Sequence, residues 1–198
     1  MKSNILGSLL VLMVLVTSAS TTSAQTADNK SWSTAGTTGT ADKVDLNKVI
    51  YSNGVVSFPE TPGTQLTSKR SLALPLQTVQ AVVRYNVTAV DGLFFPSGRL
   101  CMVTRFRDDG DRARVLLRLM QFNLETGNTT NLLTFDSNSF SPQANFQGNS
   151  VSTERVAFDF AHNAYYVEAT LTKQQPLNSI GGGKPALAVV LLTRCIQF

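Results

Sequence analysis

The side chains in this sequence best suited to meet a ligand are the arginines gathered in RLCMVTRFRDDGDRARVLLRL: Arg99, Arg105, Arg107, Arg112, Arg114 and Arg118. A guanidinium presents a planar fork of donors that matches carboxylate, sulfate or phosphate oxygens, so a cluster of them points to anion binding rather than bond-making chemistry. Their spacing sharpens this. Asp108, Asp109, Gly110 and Asp111 are turn formers between two apolar runs, and the segment reads as a hairpin in which Arg107 faces Arg112, Arg105 faces Arg114 and Cys101 faces Arg118. Alternation then puts Leu100, Met102, Thr104 and Phe106 with Ala113, Val115, Leu117 and Leu119 on a core face. It puts Arg99, Cys101, Val103, Arg105 and Arg107 with Arg112, Arg114, Leu116 and Arg118 on the other.

Like charges opposed across a ladder repel unless anions, carboxylates or solvent relieve them, and Asp108, Asp109 and Asp111 reach only the turn end. The face is therefore expected to take an acidic glycan, a lipid headgroup or an acidic protein surface. The plainer expectation is a solvated strand face that keeps an exported protein soluble. A third is burial of the arginines under a second layer or a partner, which would make the protein a structural or assembly component. Nucleic acid fits the charge, but export and the lack of interleaved aromatics argue against it.

Catalytic patterns are weaker. His162, the only histidine, falls in a turn outside any known motif, and no serine lies in a Gly-x-Ser-x-Gly elbow. Gly181-Gly182-Gly183-Lys184 resembles a phosphate loop only until Pro185, which stands where magnesium chemistry needs Ser or Thr. Asp91, Glu154, Asp159 and Glu168 offer carboxylates without a spacing that pairs them, so a hydrolase is a distant third reading. Two cysteines and one histidine lack zinc-ligand spacing. No catalytic residue, metal or cofactor is expected. Cys101 and Cys195 lie in predicted strands of an exported chain, where a disulfide persists, and the bridge is favoured over two buried thiols. It would bring the last strand beside the first arginine strand.

The elements that must position these residues are strands. The 198-residue chain is 42% hydrophobic and only 15% charged, and its net charge of +4 includes Lys2. Total charge therefore names no partner; only the clustering does. Residues 1–24 read as a secretory signal: Lys2, an apolar run from Ile5 to Val16, and small residues ending at Ala24. Localisation is then secreted or periplasmic, and no later segment is long and apolar enough to span a bilayer. Residues 25–45, rich in Ser, Thr and Gly, read as a disordered linker in which Trp32 is incidental.

Residues 46–198 read as one antiparallel β domain, a sandwich or partly open barrel. Asn53-Gly54 turns a short hairpin, and Val79 to Val90 alternates as a half-solvated strand. Asp136 to Ser150 reads as a loop between a hairpin turned at Glu125-Thr126-Gly127-Asn128 and one that pairs Val156, Phe158 and Phe160 with Ala169, Val167 and Tyr165. Ala186 to Phe198 reads as a central strand. Residues 111–121 are also good helix formers, and a helix there would abolish the basic face. Asn86 and Asn128 begin glycosylation-type triplets.

Overall fold

Alternating apolar and polar side chains shape the long strands of this computed structural model, which describes residues 31–59, 76–88, 99–110, 112–154, 156–176 and 183–195. In chain order they are β1 (Trp32–Ala35), β2 (Thr40–Ala41), β3 (Ile50–Ser52), β4 (Val55–Ser57), β5 (Leu76–Val87), β6 (Leu100–Asp108), β7 (Ala113–Asn123), β8 (Thr129–Asp136), β9 (Gln143–Thr153), β10 (Asn163–Pro176) and β11 (Ala186–Arg194). Short 3-10 turns at Gly36–Thr38 and Ser137–Ser139 are the helical elements among the described residues. Within residues 111–121, Arg112 is a turn and 113–121 are strand, so no helix forms among the described residues there. Among the described residues no helix is long and apolar enough to cross a membrane.

The strands form two antiparallel sheets, as the sequence predicts. One has six strands, ordered β3-β4-β11-β6-β9 with β1 also on β11; the other has five, ordered β2-β5-β10-β7-β8. The inward rows meet in one core. Ala81, Val83 and Tyr85 of β5, Val115, Leu117 and Leu119 of β7, and Val167, Ala169 and Leu171 of β10 are buried with Met102 and Phe106 of β6 and Val190 and Leu192 of β11. Phe106 meets Phe135 of the opposite sheet edge to face, 5.1 Å between ring centres. Each such large side chain contributes about 1.5–3 kcal/mol by leaving water.

The asparagine-glycine hairpin is present, with Asn53 at φ 51° and Gly54 at φ 80°, the left-handed pair that a tight turn requires. The β7–β8 hairpin also forms as expected. Four other expectations are corrected.

The arginine segment is not a paired hairpin. β6 pairs with β11 and β9, and β7 pairs with β10 and β8, so the chain crosses from one sheet to the other between them. Arg107–Arg112, Arg105–Arg114 and Cys101–Arg118 are not cross-strand neighbours. The inward residues are those that alternation predicts, because alternation fixes which side chains face the core but not which strand lies alongside.

The described part of the expected linker is structured. Trp32 is 7% exposed and pairs with Leu192, while Ala41 pairs with Val83. Asp45 is buried, accepting from Lys48 Nζ at 2.7 Å and from the Val82 amide at 2.9 Å. Burial raises its pKa, but these two donors outweigh that and hold it below the usual value. Polar composition misled here because ladder hydrogen bonds and one tryptophan suffice to dock the segment.

The stretch read as a loop from Asp136 contains β9, an edge strand against β6. Residues 156–160 are not a strand; β10 pairs instead with β5 and β7. Phe158 still packs on Tyr165, ring centres 4.8 Å apart. The signal segment, residues 25–30 of the linker and the turns at Asp91 and Pro96 lie outside the described residues.

Candidate anion-binding face

β6 places Cys101, Val103, Arg105 and Arg107 on the outer face of the six-stranded sheet, because Leu100, Met102, Thr104 and Phe106 fill the inner one. β7 does the same on the opposite side of the molecule. Arg114 and Arg118 leave through the outer face of the five-stranded sheet, since Ala113, Val115, Leu117 and Leu119 point inward. The predicted arginine set is thus divided between two surfaces that face away from each other. Arg112 is exposed at the crossover.

The two surfaces differ in electrostatics. On the five-stranded sheet the arginines meet carboxylates. Arg114 takes Asp136 with two bonds, Nε to Oδ1 at 3.0 Å and Nη2 to Oδ2 at 2.6 Å. This bond from Arg114 holds the Asp136 carboxyl below its ordinary range and raises the guanidinium. Arg84 donates to Glu168 at 2.9 and 3.1 Å and also to Asp42, and Arg118 approaches the same Glu168 at 3.8 Å. This chain of charges crosses β5, β10 and β7, where Arg84, Glu168 and Arg118 occupy one row of the ladder. No local sequence signal announced it, because its members are far apart in the chain.

On the six-stranded sheet the arginines meet no carboxylate among the described residues. Asp108 is the sole acidic residue of its strands, and it is buried. Arg105 is exposed, opposite Gly148 on one side and Val189 on the other, and forms no ion pair among the described residues. Arg107 donates from Nε to the Lys184 carbonyl at 2.9 Å and lies over the Phe146 ring, 5.7 Å from its centre. Arg99, one residue before the start of β6, is exposed. Ser150 and Ser152 of β9 are exposed across from Val103 and Cys101.

Cys101 and Cys195 form the expected disulfide, with Cα atoms 5.1 Å apart. The Cys195 amide also donates to the Arg99 carbonyl at 2.9 Å, and β11 lies beside β6 as the bridge requires. His162 has an acidic neighbour that the sequence reading missed: Nδ1 lies 2.8 Å from Asp159 Oδ2, three residues earlier, and both side chains are at least half exposed. The contact with His162 lowers the Asp159 pKa. The pair closes a turn. Gly183 of the glycine run packs against the Arg112 backbone, where a Cβ would come within 2.0 Å of the carbonyl oxygen.

No family profile matches the chain, and no curated protein matches it. Solved structures do. The chain is similar to the C-terminal CBM6 of LamC, a marine laminarinase from Zobellia galactanivorans, at 14% identity over 83% of this chain and 100% of that one, with a TM-score of 0.43. It is also similar to TmCBM61, solved with β-1,4-galactotriose, at 7% identity over 83% and 88%, TM-score 0.33. Eiger TNF from S. frugiperda matches at 14% identity over 60% and 66%, TM-score 0.26. These likenesses assign no residue role here.

Proposed function

We propose that this protein is a non-catalytic, exported binding module that holds an acidic glycan along the outer face of the six-stranded sheet. The observation that carries the reading is the unequal pairing of the arginines. Arg114 and Arg118 sit beside carboxylates of their own fold, whereas Arg105 is exposed on a face whose strands offer no exposed carboxylate. An exogenous anion is what this face lacks. Arg105 and Arg107 share the outer side of β6 and Arg99 stands one residue before that strand, so at about 3.3 Å per residue the three span roughly 25 Å. A linear polyanion reaches that row; a compact headgroup meets one end of it. Exposed hydroxyls of Ser150 and Ser152 lie beside it and suit a sugar chain. Export is supported by the disulfide, a bond that persists in oxidising compartments.

The test pairs two charge-matched variants in heparin binding over a salt series. Arg99→Gln with Arg105→Gln should weaken binding about tenfold, which corresponds to about 1.4 kcal/mol, and flatten the salt dependence. Arg114→Gln with Arg118→Gln removes the same charge and should leave affinity within about twofold, because those arginines already face carboxylates. Equal losses would reduce the effect to bulk charge, and loss confined to the second pair would move the site to the other sheet.

A further inference from the structure

A cleft of about 230 Å³ opens between the β6–β7 crossover and the β8–β9 connection, lined by Asp108, Gly110, Asn138, Phe140 and Pro142. We propose that it holds a single neutral pyranose residue, at a site separate from the arginine row. The chemistry of the lining decides the class. Among the described residues no cationic side chain lines the cleft and a carboxylate does, which disfavours an anionic ligand. The volume falls below the roughly 300–1,000 Å³ typical of pockets for drug-sized ligands. It suits one sugar ring.

The walls are of two kinds. Phe140 is fixed from behind by stacking on Phe135, ring centres 5.2 Å apart and planes 19° apart, and by Phe106 at 6.4 Å. A rigid aromatic wall with Pro142 offers surface to the C–H face of a pyranose. The polar wall is Asp108, only 3% exposed, whose Oδ1 accepts the Gly110 amide at 3.1 Å and whose Oδ2 accepts the Ser137 hydroxyl. Those donors hold the carboxylate in one orientation, and each oxygen keeps a lone pair for a sugar hydroxyl. Asn138 uses its backbone amide on Asp136 Oδ1 at 3.2 Å, while its exposed side-chain amide bonds to no protein group among the described residues. A carboxylate and an amide together can receive and donate to neighbouring hydroxyls. Gly110 stands at φ 127°, and nothing lies within 4 Å of where a Cβ would be, so the floor is open and reserved for glycine.

The experiment is amide NMR of the whole chain titrated with methyl gluco-, galacto- and mannopyranosides at millimolar concentrations. One of them should shift the Gly110 and Asn138 amides in a saturable way. Asn138→Ala should weaken that binding about fivefold, the ratio for one neutral hydrogen bond. Because Asn138 is exposed, this variant leaves the core untouched. Arg99→Gln with Arg105→Gln should leave sugar binding unchanged while reducing heparin binding, which separates the two sites. No saturable shift at Gly110 or Asn138 with any of the glycosides overturns the proposal. So does equal binding to Asn138→Ala, or displacement of the sugar by an equimolar alkylammonium ion.

Discussion

Arg114 grips Asp136 across the β7–β8 ladder through both guanidinium nitrogens that face it, so the second 3-10 turn starts from a carboxylate that is itself held in place. Asp136 also accepts the Asn138 amide. One pair thus joins the edge hairpin to the rim of the cleft.

The pair makes stability depend on acid. The Asp136 pKa is lowered in the folded protein, so its contribution is complete above the unfolded value of 3.8 and disappears as pH falls through the folded value. Thermal melts of the natural chain and Arg114→Gln should differ by up to about 1 kcal/mol at neutral pH, a modest figure because Arg114 is partly exposed. The difference should close below pH 4. A constant gap across pH would show that the stabilisation is packing rather than charge.

Reduction of the disulfide should lower the melting temperature. The bridge joins residues 94 apart, for which chain entropy gives about 4–5 kcal/mol. Thiol labelling of unreduced, denatured protein should find neither cysteine free; two labelled thiols contradict the bond.

The N-terminal strand is part of the sandwich. Trp32→Ala should cost about 3–5 kcal/mol. Gly36→Ala should also destabilise, since its Cβ would fall 2.1 Å from the Leu187 carbonyl oxygen and would disturb a backbone that receives the Tyr85 hydroxyl at 2.9 Å. Urea midpoints read both effects. A deletion through residue 45 that melts like the parent would instead show this segment to be an appendage.

Ser137→Ala should lose about 1–3 kcal/mol. The hydroxyl is buried between the Val115 amide, which donates to it at 2.8 Å, and Asp108, which it donates to. Removing it leaves both groups under-satisfied. Hydrogen exchange at Val115 should quicken; unchanged exchange and stability would mean that water replaces the hydroxyl.

The sequence by itself determined the faces of the long strands β5, β6 and β7, though not β1, β2 or β9. Period-two alternation in Ala81–Val87, Leu100–Phe106 and Ala113–Leu119 is a local record of which side chains leave water, and it named the core residues of β5, β6 and β7 correctly. The asparagine-glycine turn was legible for the same reason, since its backbone angles are a property of two residues. Cys101 and Cys195 could be paired because a chain with two cysteines offers one partner for each. What only the tertiary structure decided was which strands lie side by side. A hairpin and a crossover between sheets demand the same alternation and the same turn formers. Only the long-range pairing of β6 with β11 and of β7 with β10 sent Arg105 and Arg114 to opposite surfaces. That choice depends on contacts far apart in the chain: Ser137 beneath Asp108, the Lys184 amide on Asp109 Oδ1 at 2.7 Å, and Glu168 between Arg84 and Arg118. None of these leaves a mark in the residues next to the arginines, so the sequence named the arginines and the tertiary structure placed them on two surfaces.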